Sequence, residues 1–333
     1  MSALHPSRRA AAVLAALLAL LGVLASTATA KSAKVTPDPP LTVDKAHLAA
    51  GLHCPVPVVK GGKQPILLVT GTGFTGAEAY AIGKAALTTL KQPLCYVDFP
   101  YRTTGDIQIS VQYLVYGIRT VERRAGRPIA MFGVSQGGLL PRWALTYWPS
   151  LRKKVTDVIA VAGTQHGSTV LGTCSVAEPC NPATWQQRAG SNLLKAINRQ
   201  KDESPDPTSW TTVRTATDET VQPTGGPHPT SALKGATNIL IQDVCPGRSP
   251  THIGSALDSV TFAAAQDAFT HKGPAKVSRL PKNVCDSLYA PGITGGAGRR
   301  AVRAFVPDPQ TEAPKVGREP KVLPYARRLV SVR

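Results

Sequence analysis

Short apolar runs alternate with stretches of helical periodicity along most of the chain. The apolar runs predict buried strands at 65–69, 94–99, 129–132, 157–162, 210–217 and 238–244. From Ile107 to Val121 apolar residues recur with helical spacing, and Asp106 is placed as the N-cap. Helical composition also marks 75–91 and 256–271. Strands and helices in alternation predict an α/β fold, with a mostly parallel sheet covered by helices on both faces.

The start of the chain has the pattern of an export signal. Arg8 and Arg9 precede an apolar segment at 10–25, and the small residues at 28–30 are typical of a cleavage site. Residues 1–30 are therefore predicted to be a secretory signal peptide, cleaved near Ala30. The apolar segment is shorter than the roughly 20 residues that a membrane-spanning helix needs, so we expect no permanent membrane anchor.

The mature chain divides into three predicted parts. Residues 31–47 are rich in proline and polar residues and predict an exposed lead-in, 48–294 form the folded domain, and the basic extension 295–333 is expected to wrap it. The formal net charge is +18. Because the basic residues are scattered, without a basic helix or interleaved aromatics, this charge indicates a cationic surface rather than nucleic-acid binding. We expect a monomer.

The cysteines indicate an oxidising compartment. All 6 follow residue 30, and an even number in an exported chain predicts three disulfides. Six cysteines allow 15 pairings, among which the sequence alone does not choose. No cysteine or histidine spacing is typical of a metal site, so no metal is expected.

The most informative motif surrounds Ser135. Residues 133–137 read Gly-Val-Ser-Gln-Gly, after a predicted strand and before a predicted helix. This is the setting of the nucleophile elbow, a sharp turn that lifts a serine hydroxyl above a sheet. The same turn directs the Gln136 N–H towards a developing oxyanion. A structural turn is the alternative, but the strand, the helix and the export signal together favour a nucleophile.

A glycine-rich motif at 71–76 allows a competing interpretation. It matches G-x-G-x-x-G, follows a strand and opens a helix, and Asp98 ends the next strand near the place of a ribose-binding acid. Export and the nearby Cys95 argue against a dinucleotide site. We favour the simpler use of the loop, in which it presents a second backbone N–H to the oxyanion, and we expect no cofactor.

A serine nucleophile needs a base and an acid, which in α/β-hydrolases follow it in the order acid, then histidine. His252 follows the last predicted strand and Asp218 ends the strand before it, so these two are the candidates. Asp243 is the weaker acid, predicted within a strand, and Glu219 is expected to be solvated. The other histidines after Ser135 come too early or lie in a proline-flanked loop or a helix: His166, His228 and His271.

Several stretches resemble the family of secreted lipases that includes lipase B of Candida antarctica and bacterial relatives. They cover nearly all the mature chain, in order: PILLVTGTGFTG at 65–76, SQGGLL at 135–140, KVTDVIAVAG at 154–163, TWQQRAGS at 184–191, TATDETVQP at 215–223, HIGS at 252–255 and LPYARRLV at 323–330. The resemblance implies a single-domain α/β-hydrolase fold and a lipase or carboxylesterase acting on ester or lipid substrates, with an oil–water interface as one expected setting.

The resemblance also implies roles for individual residues. Ser135 would be the nucleophile, Asp218 the acid and His252 the base. Thr72 would supply its N–H and hydroxyl to the oxyanion hole, and Gln136 a second N–H. The implied disulfides are Cys54–Cys95 and Cys245–Cys285, which leaves Cys174 to pair with Cys180.

Some positions depart from the family pattern. Val134 stands where the family has a tryptophan, which implies a roomier pocket for the alcohol part of the ester. Thr164 replaces an aspartate on the acyl side, Gln187 matches a pocket glutamine, and Thr220 replaces an isoleucine at the rim. The chain-length preference of the family is therefore not expected to transfer directly.

Two classes of function follow from the sequence. The leading one is a secreted serine lipase or carboxylesterase, with short-chain ester hydrolysis, polyester hydrolysis and acyl transfer as variants of the same machinery. The rival is a hydrolase fold retained as a non-catalytic, surface-binding protein. Ser135, Asp218 and His252 are all present, which favours the enzyme.

Overall fold

A computed structural model describes residues 36–296 and 310–330. The predicted signal peptide, residues 31–35 of the predicted lead-in, and residues 297–309 and 331–333 of the predicted extension lie outside the described residues. The described residues form 7 strands: β1 Leu52–His53, β2 Ile66–Val69, β3 Leu94–Val97, β4 Ile129–Val134, β5 Val155–Val161, β6 Ser209–Arg214 and β7 Thr237–Leu240. They form one sheet in the order β1-β3-β2-β4-β5-β6-β7. Within this sheet β1 is antiparallel to β3 and the other pairs are parallel, which confirms the predicted mostly parallel sheet.

Helices connect the strands and cover both faces of the sheet. They are α1 Lys45–Ala50, α2 Gly76–Leu87, α3 Ile107–Ala125, α4 Gln136–Tyr147, α5 Pro182–Gln187, α6 Asn192–Asn198, α7 Ile241–Val244, α8 His252–Ser255 and α9 Ser259–Thr270. Among the described residues, no helix combines the length and apolar character needed to span a membrane.

Two hydrophobic cores lie on opposite faces of the sheet. In β2, Leu67 and Val69 pack with residues of α3 and α4, whereas Ile66 and Leu68 pack with residues of α2 and α9. Successive side chains of a strand point to opposite faces, so a strand between two cores must be apolar throughout. This explains why the strands read as continuous apolar runs rather than as alternating patterns.

The long helix α3 forms where the periodicity predicts it. The Asp106 carboxylate accepts a hydrogen bond from the Gln108 N–H at 2.8 Å and so caps the helix start. The helix ends at Ala125, and the next residue, Gly126, has a φ of 64°, the left-handed conformation common at helix C-termini. Its inward face is fully buried in one core: Ile107, Val111, Leu114, Val115, Ile118 and Val121.

Several predicted boundaries are wrong. The predicted strand 210–217 ends at Arg214, so Asp218 lies in the loop after β6 rather than at the end of the strand. The predicted strand 238–244 ends at Leu240, and the rest of this apolar run forms the short helix α7; periodicity does not separate a short strand from a short helix. The predicted helix 256–271 begins at Ser259, because the Asp258 carboxylate caps the Val260 N–H at 2.8 Å.

The described N-terminal residues lie along α3 and α4. Asp38 accepts a hydrogen bond from Arg119 at 2.6 Å and another from the Ser150 N–H at 3.1 Å. The carbonyl of Pro39 accepts a hydrogen bond from the Trp148 indole at 2.9 Å. This part of the predicted exposed lead-in is therefore attached to the domain by specific contacts.

The C-terminal segment 310–330 lies on the same face of the sheet. The Glu319 carboxylate accepts hydrogen bonds from the N–H groups of Asn192 and Leu193, both at 2.9 Å, at the start of α6. The Tyr325 hydroxyl accepts one from the Trp143 indole at 3.1 Å. The segment thus completes the packing around α4 and α6.

Three disulfides join Cys54 to Cys95, Cys174 to Cys180, and Cys245 to Cys285. The first and third are the pairs that the resemblance implies, and the second joins the two cysteines that those pairs leave. The first joins the chain after β1 to β3, the second closes a loop before α5, and the third joins the end of α7 to the segment after α9.

Candidate active site

Ser135 occupies a strained turn between β4 and α4. Its φ of 57° and ψ of −123° are rare for a residue with a side chain. The turn is tight: a Cβ added to Gly133 would lie 1.9 Å from the Gly137 carbonyl oxygen, and one added to Gly137 would lie 2.1 Å from the Val69 carbonyl oxygen. Glycine is therefore required at both positions, for the close approach of backbone to backbone.

The N-terminus of α4 lies directly behind the serine. Gln136 is the first residue of this helix, and its side chain is fully buried. The N–H groups of the first helical turn have no partner within the helix and carry a partial positive charge. The turn thus places Ser135 where a developing negative charge is stabilised.

The glycine-rich loop after β2 lies against the serine. A Cβ added to Gly71 would lie 3.0 Å from Ser135 Cβ and 3.7 Å from Ser135 Oγ. The next residue, Thr72, donates a hydrogen bond from its hydroxyl to Gln136 Oε1 at 2.6 Å. The structure thus brings together the two predicted oxyanion-hole residues beside Ser135.

Asp98, the candidate acid of the dinucleotide interpretation, binds the start of α2 and contacts His53. Its carboxylate accepts a hydrogen bond from the Gly76 N–H at 2.6 Å at the start of α2, and its other oxygen lies 3.2 Å from His53 Nε2. Asp98 therefore fixes the helix that follows the glycine-rich loop.

Asp218 and His252 form a buried pair. Asp218 Oδ2 lies 2.8 Å from His252 Nδ1, and the two residues are 2% and 4% exposed. Asp218 Oδ1 accepts hydrogen bonds from the N–H groups of Thr220 and Val221 at 2.9 and 2.7 Å. The carboxylate is thus held in one orientation, and Nε2 is the imidazole nitrogen left for a nucleophile.

Two further residues place the histidine. Glu219 Oε2 accepts a hydrogen bond from the His252 N–H at 2.9 Å, and the Thr251 hydroxyl caps α8 through the Gly254 N–H at 3.1 Å. Glu219 is exposed, as the sequence suggests, but sequence reasoning missed its contact with His252. The signal available was its position directly after the predicted acid Asp218.

The other candidate acids and bases lie elsewhere. Asp243 is in α7 rather than in a strand, and it is exposed, as is His228. His271 follows the last residue of α9 and contacts Asp267. His166 contacts the Thr230 carbonyl at 3.1 Å and Glu203 at 3.6 Å.

Hydrogen bonds link Thr164, Gln187 and Thr72 in a chain that ends at the glycine-rich loop 71–76, called the oxyanion loop below. Thr164 donates to Gln187 Oε1 at 3.0 Å, and Gln187 Nε2 donates to Thr72 Oγ1 at 2.9 Å. The sequence predicts Gln187 only as a pocket residue and gives no sign of its hydrogen bond to Thr72. Gln187 therefore also orients the Thr72 hydroxyl.

Ser135 and His252 line a single cavity of about 440 Å³. Val134, Thr164 and Gln187, the predicted pocket residues, line it as well. Most of the remaining wall is apolar, and includes Leu68, Phe74, Ile82, Phe132, Leu171, Ile253, Leu257 and Phe262. A largely apolar cavity with a few convergent polar groups is typical of a binding site for small apolar molecules.

Comparison with known proteins identifies the family. No protein-family model matches the chain. The chain is 30% identical to lipase B of Pseudozyma antarctica over 298 residues, which cover 87% of this chain and 87% of that protein. The crystal structure of Aspergillus fumigatus lipase B superimposes with a TM-score of 0.80 at 28% identity, covering 88% of this chain and 74% of that one. The chain therefore belongs to the lipase B family of α/β-hydrolases and is a carboxylic ester hydrolase.

Proposed function

We propose that the protein is a secreted serine lipase or carboxylesterase that cleaves acylglycerols or similar esters through an acyl-enzyme. Ser135 is the nucleophile, His252 the base and Asp218 the acid. The observation that carries the proposal is the buried contact between Asp218 and His252 at 2.8 Å, in a cavity that His252 shares with the strained Ser135.

The proton movements follow from this arrangement. His252 Nε2 takes the proton of the Ser135 hydroxyl as Ser135 Oγ attacks the ester carbonyl carbon. Asp218 holds the tautomer with the proton on Nδ1 and stabilises the imidazolium that forms. His252 then gives its proton to the departing alcohol.

The oxyanion is stabilised by two backbone N–H groups and by a hydroxyl that reorients. The backbone N–H groups of Thr72 and Gln136 donate to it, and the Thr72 hydroxyl adds a third donor when it turns from Gln136 Oε1. Removing one such donor typically lowers kcat by about 100- to 1,000-fold. Water, or another alcohol, then releases the acyl group from Ser135.

The cavity and the disulfides support the substrate class and the location. A largely apolar cavity of about 440 Å³ is large enough for the hydrocarbon parts of a small ester. Three disulfides are typical of proteins that fold in an oxidising compartment, which supports secretion. The export signal predicted at residues 1–30 is consistent with this.

The proposal is tested by hydrolysis of p-nitrophenyl esters from C2 to C16, and of emulsified triglyceride, by the mature protein. We expect hydrolysis by the wild type and by Ser278→Ala, an exposed serine, and none by Ser135→Ala. The chain-length profile distinguishes a short-chain esterase from a lipase. A wild type inert on every substrate would support the alternative of a non-catalytic, surface-binding protein.

A further inference from the structure

Three consecutive residues beside the oxyanion loop adopt the left-handed conformation. The φ angles of Tyr101, Arg102 and Thr103 are 54°, 50° and 61°. None of them is glycine, and a β-branched residue such as threonine is especially disfavoured in this region. Strained backbone persists only where surrounding contacts hold it, and it concentrates at functional sites.

The turn is bonded to both neighbours of Thr72. The Thr103 hydroxyl donates to the Gly71 carbonyl oxygen. The Gly73 N–H donates to the Arg102 carbonyl oxygen at 2.8 Å, and Arg102 Nε donates to the Gly73 carbonyl oxygen at 3.0 Å. Arg102 thus holds Gly73 at two points, once with its backbone and once with its side chain.

These bonds fix the direction of the Thr72 N–H. The Gly71 carbonyl and the Thr72 N–H belong to the same planar peptide unit and point in opposite directions. Anchoring the carbonyl therefore aims the N–H. The following peptide unit is held through the Gly73 N–H, so the planes on both sides of Thr72 are fixed by Arg102 and Thr103.

The Arg102 side chain also reaches the start of α2. Its Nη2 lies 2.9 and 3.0 Å from the two carboxylate oxygens of Glu78. Glu78 Oε2 accepts a hydrogen bond from the Thr75 N–H at 2.8 Å, and the Thr75 hydroxyl accepts one from the Glu78 N–H at 3.2 Å. This is a reciprocal capping box. Arg102 therefore joins the loop at Gly73 to the helix that follows it.

Glu78 is held in its charged form. Partial burial would raise the pKa of its carboxyl group, but hydrogen bonds from the Thr75 N–H and from Arg102 lower this pKa below its usual value. The ion pair with Arg102 is therefore present at neutral pH. Because the guanidinium group is planar and carries several N–H donors, the Arg102 side chain can bind the Gly73 carbonyl and the Glu78 carboxylate at the same time.

We propose that Arg102 is a positioning residue that aims the Thr72 backbone N–H at the oxyanion. Arg102 lies outside the wall of the cavity and touches no reacting atom; it acts through Gly73 and Glu78. This inference deepens the proposed function and rests on it, since it presumes that Thr72 contributes to the oxyanion hole of an active esterase.

The test compares Arg102→Met, Arg102→Lys and the control Arg124→Met, an exposed arginine of α3. With p-nitrophenyl butyrate we expect Arg102→Met to lower kcat about 10-fold, less than complete loss of a donor, with KM within about twofold of the wild type. Arg102→Lys keeps the positive charge but replaces the planar guanidinium with a single ammonium group. Its kcat should therefore lie between those of Arg102→Met and the wild type. Arg124→Met should leave kcat unchanged.

A boronic acid inhibitor separates positioning from general destabilisation, because it forms a tetrahedral adduct with Ser135 and places an oxygen in the oxyanion hole. We expect its affinity for Arg102→Met to fall by the same factor as kcat. Glu78→Gln removes the charge of the ion pair but provides an amide oxygen as an acceptor for the Thr75 N–H. It should also lower kcat and the affinity for the boronic acid. It serves as the second variant where Arg102→Met does not fold.

The outcomes are distinguishable. An inert wild type would overturn the proposed function and this inference together. An active wild type with unchanged kcat or unchanged boronate affinity in Arg102→Met and Glu78→Gln would overturn the inference alone. A rate loss explained entirely by a lower folded fraction, measured by circular dichroism at the assay temperature, would also overturn it.

Discussion

The Thr72 hydroxyl donates a hydrogen bond to Gln136 Oε1 at 2.6 Å, so the side chains of the two residues proposed to form the oxyanion hole are bonded to each other. Gln187 Nε2 contacts both of them, at 2.9 Å to Thr72 Oγ1 and at 3.3 Å to Gln136 Oε1. In the proposed mechanism the hydroxyl turns towards the oxyanion, and Gln136 Oε1 then keeps the hydrogen bond from Gln187. The rearrangement therefore leaves no buried acceptor without a donor.

This relationship predicts the effect of replacing Thr72. Thr72→Val keeps the backbone N–H but removes the hydroxyl, and it leaves Gln187 Nε2 without one of its acceptors. We expect kcat for p-nitrophenyl butyrate to fall by about 100-fold, the lower part of the range for loss of one oxyanion donor. Thr72→Ser keeps the hydroxyl and should stay within a few-fold of the wild type. Equal kcat values for the valine and serine variants would show that the backbone N–H groups suffice.

The pairing of Asp218 with His252 predicts a second effect. In Asp218→Asn, the amide oxygen can take the place of Oδ1 and keep the hydrogen bonds from Thr220 and Val221. The amide nitrogen then faces His252 Nδ1 and favours the wrong imidazole tautomer. We expect kcat to fall by about 10⁴-fold with the fold retained.

The matched control for this prediction is Asp243→Asn, because Asp243 is the other acid considered from the sequence and is exposed in α7. Its kcat should equal that of the wild type. A large loss of kcat in Asp243→Asn, together with a small loss in Asp218→Asn, would exchange the roles assigned to the two aspartates.

The sequence predicts those parts of the molecule whose signals are local and repeated. The helix α3 has several turns of apolar periodicity and a capping Asp106, and both features appear as expected. The serine turn at 133–137 is equally local, because the close approach of backbones demands glycine on both sides of Ser135. The short helices α5 and α6, of 6 and 7 residues, are too short to show a period.

Contacts between distant segments could not be predicted in this way. The left-handed turn at Arg102 lies 29 residues from the Gly73 that it holds, and no spacing rule links the two. The contact of Gln187 with Thr72 spans 115 residues. The resemblance to the lipase family supplies the roles of matching positions, but these two contacts depend on how loops from different strands meet above the sheet.

The buried Asp157 of β5 predicts a pH dependence of stability. Burial raises the pKa of its carboxyl group to about 6, although a hydrogen bond with Thr156 lowers it in part. Because this pKa exceeds the ordinary value of 3.8, the folded state binds the proton more tightly than the unfolded state does. The contribution of Asp157 to the free energy of unfolding therefore decreases as the pH rises from about 4 to about 6, and it stays unfavourable above that range.

Asp157→Asn should accordingly stabilise the protein at neutral pH. We expect a gain of about 1–3 kcal/mol in the free energy of unfolding at pH 8, which follows from about 1.4 kcal/mol for each unit of pKa shift. At pH 4 the gain should vanish. Urea unfolding at both pH values measures it, with the exposed Asp286→Asn as the control. A gain of equal size at pH 4 and pH 8 would show that the carboxylate charge is not its cause.

The wall of the cavity beside Ser135 predicts which alcohols the enzyme accepts. Val134 ends β4 next to the serine, and Leu68 and Phe132 line the same cavity with it. A tryptophan at position 134, the residue that the family has there, would occupy much of the space that valine leaves open. Esters of bulky secondary alcohols should therefore be substrates of the wild type.

We expect Val134→Trp to lower kcat/KM for 1-phenylpropyl butyrate at least 10-fold, within the range that pocket size typically contributes to specificity. The value for isopropyl butyrate should change less than about threefold, because a small alcohol does not need the added space. Val56→Trp, at a position that is 51% exposed, controls for the tryptophan itself and should match the wild type on both esters. If wild type and Val134→Trp prefer the small ester to the same degree, the alcohol part of the ester lies elsewhere in the cavity. Val134 then does not determine which size of alcohol the enzyme accepts.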